Sequence, residues 1–236
     1  LHGQAVIIAQ KAPAGSVAPV ALSDGTHFFS GGLGGLGLLT VRLLVEGGSQ
    51  QIVLSSRSDR VVAGSEADWL WLAECGADVR RIRCDASDEG YVRRVALALY
   101  ANGLHLLSGI FHAAHQLADA VLANQAALNF RATYGPKVHG GAALHAAWWH
   151  APLRFFNAYS SMAGLMGSAG QAPHSTANAW LDAMAGWRHG SGLRGQSVSW
   201  GAVAEVGYAA RAGADQRANA SGAGAILLTM ALGALK

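Results

Sequence analysis

Charge is scarce in this chain of 236 residues: Asp, Glu, Lys and Arg together make up 13%, about half the usual share. Long solvated arms are therefore not expected. The 17 Lys and Arg give a formal net charge of only +3 and are scattered, grouped only at Arg80-Arg81-Ile82-Arg83 and Arg93-Arg94. A basic stripe interleaved with aromatics is missing, so nucleic acid is not an expected partner. Cysteine is nearly absent as well. Cys75 and Cys84 form no CxxC pair, which argues against a disulfide framework or a zinc site and for reduced, structural thiols. The apolar run Gly222–Leu235 is too short to span a bilayer, and no signal-peptide pattern precedes Lys11. The expectation is a soluble cytoplasmic domain without a membrane partner. Its start at Leu1 rather than Met points to a piece of a larger polypeptide.

What is plentiful is apolar residues, at 51% of the chain, enough for a sizeable core in one domain. Short β-rich runs alternate with helical stretches. Strands are expected at His27–Phe29, Gln51–Ser55, Val79–Arg83, Gly109–His112, Arg154–Tyr159 and Gln196–Trp200. Helices are expected at Leu33–Glu46, Ser65–Glu74, Asp88–Tyr100, about Ala120–Phe130, Gly135–Trp149 and Ser175–Trp187. This rhythm predicts an α/β fold: a doubly wound parallel sheet with helices on both faces. Ligands of such sheets bind outside the carboxyl ends of the strands, where strand order reverses. Residues 1–25 read as a linker, leaving 26–236 as the domain.

The run Ser30-Gly31-Gly32-Leu33-Gly34-Gly35-Leu36-Gly37 follows the first strand and opens a helix. Glycines there permit a tight turn and let backbone N–H groups approach a pyrophosphate at a helix N-terminus. Gly31, Leu33, Gly34, Gly35, Leu36 and Gly37 are thus candidate dinucleotide-binding residues. The second strand ends in Ser55-Ser56-Arg57-Ser58, with no acid for ribose hydroxyls. Arg57, with Ser56, suits a 2′-phosphate, favouring NADP(H) over NAD(H); an ordinary solvated cation is the alternative for Arg57. Asp85 and Ala86, after strand three, are placed to contact the adenine, although an Asp capping the next helix is as ordinary.

Taken in order, "SGGLGGLG", "LSSRS", "CDASD", "GIFHAA", "GPKVHGG", "SSMAGLMGSAGQ" and "WGAVAEVG" make residues 24–236 resemble the ketoreductase domain of modular polyketide synthases, within the short-chain dehydrogenase/reductases. The resemblance implies a Rossmann-type fold, NADPH, and reduction of a β-ketoacyl chain carried on an acyl carrier protein among neighbouring synthase domains. It also implies that residues 1–25 are a remnant of a preceding structural subdomain, and that Ala113 and Ala114 lie beside the cofactor. The family's catalytic Lys, Ser, Tyr and Asn fall on Lys137, Ser161, His174 and Asn178. Ser161 would hydrogen-bond the ketone, and Lys137 would bind the ribose and lower the donor's pKa. Asn178 would hold a water or the Lys in register.

Three departures cluster at the reacting end of the cofactor. His174 stands where the family has its proton-donating Tyr, His115 replaces a Gly after Ala114, and Ala202 replaces a Pro after Trp200-Gly201. Histidine titrates near neutrality, but its nitrogens lie closer to Cα than a tyrosine hydroxyl. Tyr159 is no substitute, since its side chain should point away from that of Ser160. Leu117-Ala118-Asp119 half-matches the LDD signature of one product stereochemistry, and Met166 stands where the other class carries Trp. Two functions follow: an NADPH-dependent reductase slowed at His174, or a silent domain retained for cofactor binding or architecture. His115 and His174 flank one cleft, but two ligands make a poor metal site, and no metal is expected.

Overall fold

The computed structural model describes residues 25–103 and 106–201. The expectations for residues 1–24, for Ala202 and for the apolar run 222–235 lie outside the described residues. Six parallel strands form one sheet in the order β3-β2-β1-β4-β5-β6. They are β1 (Thr26–Ser30), β2 (Gln51–Ser56), β3 (Asp78–Arg83), β4 (Leu107–His112), β5 (Phe155–Ser161) and β6 (Gln196–Trp200). The expected doubly wound sheet is the observed one.

Strands buried on both faces become near-continuous apolar runs, and β1 and β4 are buried at every residue. Side chains alternate between two cores. Phe28 and Val53 join Leu144, Phe156 and Leu181 on one face. Phe29 and Leu54 join Leu38, Tyr159 and Trp200 on the other. Helices α1 (Gly35–Glu46) and α2 (Glu66–Glu74) cover the second face. On the first lie α3 (Glu89–Ala101), α5 (Gly140–Ala147) and α7 (Ala172–Gly190). The edge strand β3 keeps Arg80, Arg81 and Arg83 exposed, charges that discourage edge-to-edge pairing.

The helix expected over about 120–130 is not formed as such. Residues 113–121 carry no helix; a single 3₁₀ turn covers Leu122–Asn124, and α4 is Ala127–Tyr134. Tertiary hydrogen bonds replace helical ones here: the Ala120 N–H donates to the Gly170 carbonyl at 2.9 Å and Gln125 Nε2 to the Ala120 carbonyl at 2.7 Å. Asn129 Nδ2 donates to the Ala118 carbonyl at 3.2 Å. The helix expected over 135–149 divides into a π-helical turn, Gly135–His139, and α5. α6 (Met162–Met166) is a further short helix. Helix α7 starts three residues earlier than Ser175, with Pro173 in its first turn, where a missing N–H costs nothing. His174 therefore sits inside the first turn of α7.

Candidate active site

Sheet order reverses between β1 and β4, and the glycine loop occupies that point. Gly31 and Gly32 N–H groups donate to the Ser55 carbonyl at 2.8 and 3.2 Å, tying the loop to the end of β2. Gly31 has φ +77°, and a Cβ there would lie 2.5 Å from the Ala114 nitrogen, so only glycine lets the end of β1 and the loop after β4 close together. A Cβ on Gly37 would lie 2.9 Å from the Gly32 Cα; Gly37 thus permits helix and loop to pack. Gly34 is the N-cap of α1 without a side-chain cap bond, leaving the first-turn N–H groups for an anion. Nothing of the protein demands glycine at position 34, where the nearest atom to an added Cβ is 3.6 Å away.

The cleft outside these strand ends has a volume of about 520 Å³. Gly31, Leu33 and Gly34 line it, as do Ser56, Asp85, Ala86, Ala113 and Ala114. Gly35, Leu36 and Gly37 form the first turn of α1 behind that wall. Three guanidinium groups, from Arg57, Arg60 and Arg83, also face the cleft. Arg57 Nη1 donates to Gln116 Oε1 at 3.0 Å, and Arg83 Nε to the Arg57 carbonyl at 3.0 Å. Asp85 does not cap α3. Its Oδ1 accepts from Ser87, while Asp88 is the cap, accepting from the Tyr91 N–H at 2.9 Å. A glycine cradle, an open helix N-terminus and three cations fit a phosphate-bearing dinucleotide.

Beyond this cleft, Lys137, His174 and Asn178 meet. Lys137 lies in the π-helical turn, a geometry that recurs at functional sites. Its ammonium is buried and donates to Asn178 Oδ1 at 2.8 Å and to the Tyr159 carbonyl at 2.9 Å. Burial pushes its pKa down to about 7, opposed by the charge of Asp182. Asn178, fully buried on α7, donates from Nδ2 to the His174 carbonyl at 2.8 Å. The same side chain thus bridges the ammonium and the backbone that carries the imidazole. His174 is held neutral: burial first, then the charges of Lys137 and His115, lower its pKa to about 3. Its Nδ1 is enclosed and has no hydrogen-bond partner among the described residues.

The two serines at the end of β5 diverge. Ser160 is buried and its hydroxyl donates to the Asn178 carbonyl at 3.2 Å; Ser161 is half-buried and its Oγ accepts from the Ala163 N–H at 3.2 Å, capping α6. Tyr159 points into the opposite core, where its hydroxyl meets Thr40 and its ring lies 5.7 Å from that of Trp200. His115 is exposed and lines the cofactor cleft. Asp119 accepts from Gln171 Nε2 at 2.9 Å. With the Ala120–Gly170 bond this staples the loop after β4 to the residues entering α7. Among the described residues no group of three or more His, Cys, Asp or Glu could hold a metal ion. No helix there is long and apolar enough to cross a membrane.

Two residues of this network escaped the motif reading. His112, at the buried end of β4, donates from Nε2 to the Lys137 carbonyl at 3.0 Å, and burial lowers its pKa to about 4. Its place immediately before Ala113-Ala114 was the available signal. Asp182, one turn beyond Asn178 on α7, gave none beyond that spacing.

The family model of the KR domain matches residues 25–205. Curated relatives include the phthioceranic/hydroxyphthioceranic acid synthase of Mycobacterium tuberculosis, 38% identical over 185 residues, which are 78% of this chain and 9% of that protein. A mycocerosic acid synthase-like polyketide synthase from the same species is 39% identical over 188 residues, 79% of this chain and 9% of that protein. Among solved structures, an A1-type ketoreductase superposes with a TM-score of 0.84 at 31% identity, covering 95% of this chain and 48% of that one. A ketoreductase domain from the bacillaene assembly line gives 0.74 at 30% identity, covering 84% and 48%. The chain belongs to the ketoreductase-domain family of polyketide synthases, oxidoreductases of the short-chain dehydrogenase/reductase fold. It spans about a tenth of the length of these curated relatives and about half that of the solved structures.

Proposed function

We propose that this chain binds NADP(H) and reduces a β-ketoacyl group carried on an acyl carrier protein, alongside neighbouring synthase domains, at a rate limited by His174. The observation that carries the proposal is the shared anchoring of Lys137 and the His174 backbone by Asn178, next to a cleft that suits a dinucleotide. Arg57, with Arg60 and Arg83, would recognise the 2′-phosphate, and Asp85 and Ala86 would face the adenine.

The bound nicotinamide would supply a hydride to the ketone carbon. The chain must then hold the ketone oxygen and deliver a proton to it. In this assignment Ser161 donates a hydrogen bond to that oxygen. Lys137 has three N–H donors, two of which are committed to Asn178 and Tyr159; the third is available to a ribose hydroxyl. The proton comes from the His174 ring. A neutral imidazole N–H is too weak an acid for this, so the proton comes from the small imidazolium fraction and its delivery is slow. Asp119, held by Gln171, would border the approach for the acyl chain in this assignment. Full titration of NADPH onto the protein, followed by turnover of a diketide thioester, tests this. Binding with slow loss of the reduced-nicotinamide absorbance is expected; failure to bind NADPH contradicts it.

A second function is favoured by one observation, the enclosed and unpartnered His174 Nδ1. A domain kept for cofactor binding or architecture would bind NADPH and give no turnover, with the diketide thioester or with a generic decalone.

A further inference from the structure

The buried ammonium of Lys137 needs a counter-charge, and the mechanism above leaves unused the half-buried Asp182, whose carboxylate oxygens are enclosed. Asp182 lies on α7 four residues after Asn178, hence on the same face one turn on, where Cβ atoms stand about 5–6 Å apart. Both its carboxylate oxygens are enclosed and have no hydrogen-bond partner among the described residues. An isolated buried carboxylate is strongly disfavoured unless a cation compensates it. Lys137 is bonded to the Asn178 side chain one turn away, and Asp182 is the carboxylate whose charge acts on it.

We propose that Asp182 is a positioning residue of this site, the counter-charge that keeps the Lys137 ammonium protonated and directed between Asn178 and the cofactor cleft. The inference rests on the functional assignment of Lys137 given above. The other titratable groups around Lys137 are histidines. His112 of β4 bonds to its carbonyl, His174 of α7 feels its charge, and His115 acts on His174 in turn. His139, in the same turn, is exposed. β5 presents a carbonyl and Ser160, and α6 contributes no titratable side chain. Each of these histidines can only add positive charge near the ammonium, so among the described residues Asp182 alone favours it. Without Asp182, Lys137 would lose its proton at a lower pH and with it the third N–H bond assigned to the ribose.

The chain contains three lysines, Lys11, Lys137 and Lys236, so ¹³C-labelled lysine gives few signals, and Lys137→Met identifies the one in question. With the full 236-residue chain, the Lys137 signal is expected to titrate near pH 7. In Asp182→Asn its midpoint should fall by about one pH unit or more, and in Asp182→Glu it should stay near the parent value. An unmoved midpoint in a folded Asp182→Asn overturns the proposal. Should Asp182→Asn not fold, thermal unfolding of Lys137→Met and of Lys137→Met/Asp182→Asn decides. A double variant with a higher Tm than Lys137→Met supports the pairing, and one with an equal or lower Tm overturns it. Neither readout involves cofactor or turnover, so a failure to bind NADPH counts against the functional proposal alone.

Discussion

Replacing His174 by Tyr changes the acid available to the ketone oxygen. With a pKa of about 3, the imidazole at pH 7 lies about four units above its midpoint. Roughly one molecule in 10⁴ then carries imidazolium, since each unit is a factor of ten. A tyrosine hydroxyl carries its proton throughout that range and reaches farther from Cα. General acid catalysis typically contributes about 10²–10⁴-fold, so His174→Tyr is expected to raise kcat by about that factor. Lys137 and the Asn178 bridge should be unaffected, because Asn178 holds the residue-174 carbonyl rather than its side chain. The assay is NADPH oxidation with a diketide thioester at saturating cofactor. A folded His174→Tyr protein that binds NADPH as the parent does, yet gains less than about tenfold, refutes this reasoning. Obstruction by the His115 ring would then be the limiting feature.

Arg57→Ala should weaken NADPH binding by about 10–100-fold, the loss of a charge-assisted hydrogen bond of about 1.5–3 kcal/mol, and leave NADH binding unchanged; equal losses for both cofactors in a fluorescence titration would exclude a 2′-phosphate role. Gly31→Ala puts a Cβ 2.5 Å from the Ala114 nitrogen at φ +77°, so cofactor binding should be lost and Tm should fall, whereas Gly34→Ala should affect binding with little change in Tm. Folded His27 and His112 are both held neutral, near pKa 4, by burial. The unfolded chain takes up those protons below about 6.5, so their stabilisation is complete above that pH and is lost as pH falls from about 6.5 towards 4. The pair should forfeit roughly 4 kcal/mol by pH 5, measurable by urea unfolding; a flat stability between pH 7 and 5 would contradict their buried neutral state.

The sheet was legible because strands buried on both faces leave apolar runs such as "IVLS" and "GIFH" in the sequence. Glycine 31 was legible because no other residue fits its backbone. The stretch from Ala120 to Ala126 was not. Its apolar spacing reads as a helix, but hydrogen bonds to Gly170, some fifty residues away, hold it open. The α7 start was displaced for a related reason: Pro173 resembles a breaker in sequence yet serves as a first-turn residue. The family resemblance placed Lys137, His174 and Asn178 in one motif, and they do meet. Spacing could not show that burial keeps His174 neutral, nor that His112 and Asp182 join the Lys137 surroundings. Those features depend on solvent exclusion, which emerges only when α7 and the π-helical turn pack together over the sheet beside β5.

In the proposed function a neutral histidine limits the reductase site. The most direct test is the single-turnover rate of NADPH-saturated wild-type protein with a diketide thioester between pH 5.5 and 7. With imidazolium as the acid and a midpoint far below that range, the rate should climb about tenfold for each unit of pH lowered. A rate independent of pH across that interval, or no reduction at any pH despite bound NADPH, would contradict it.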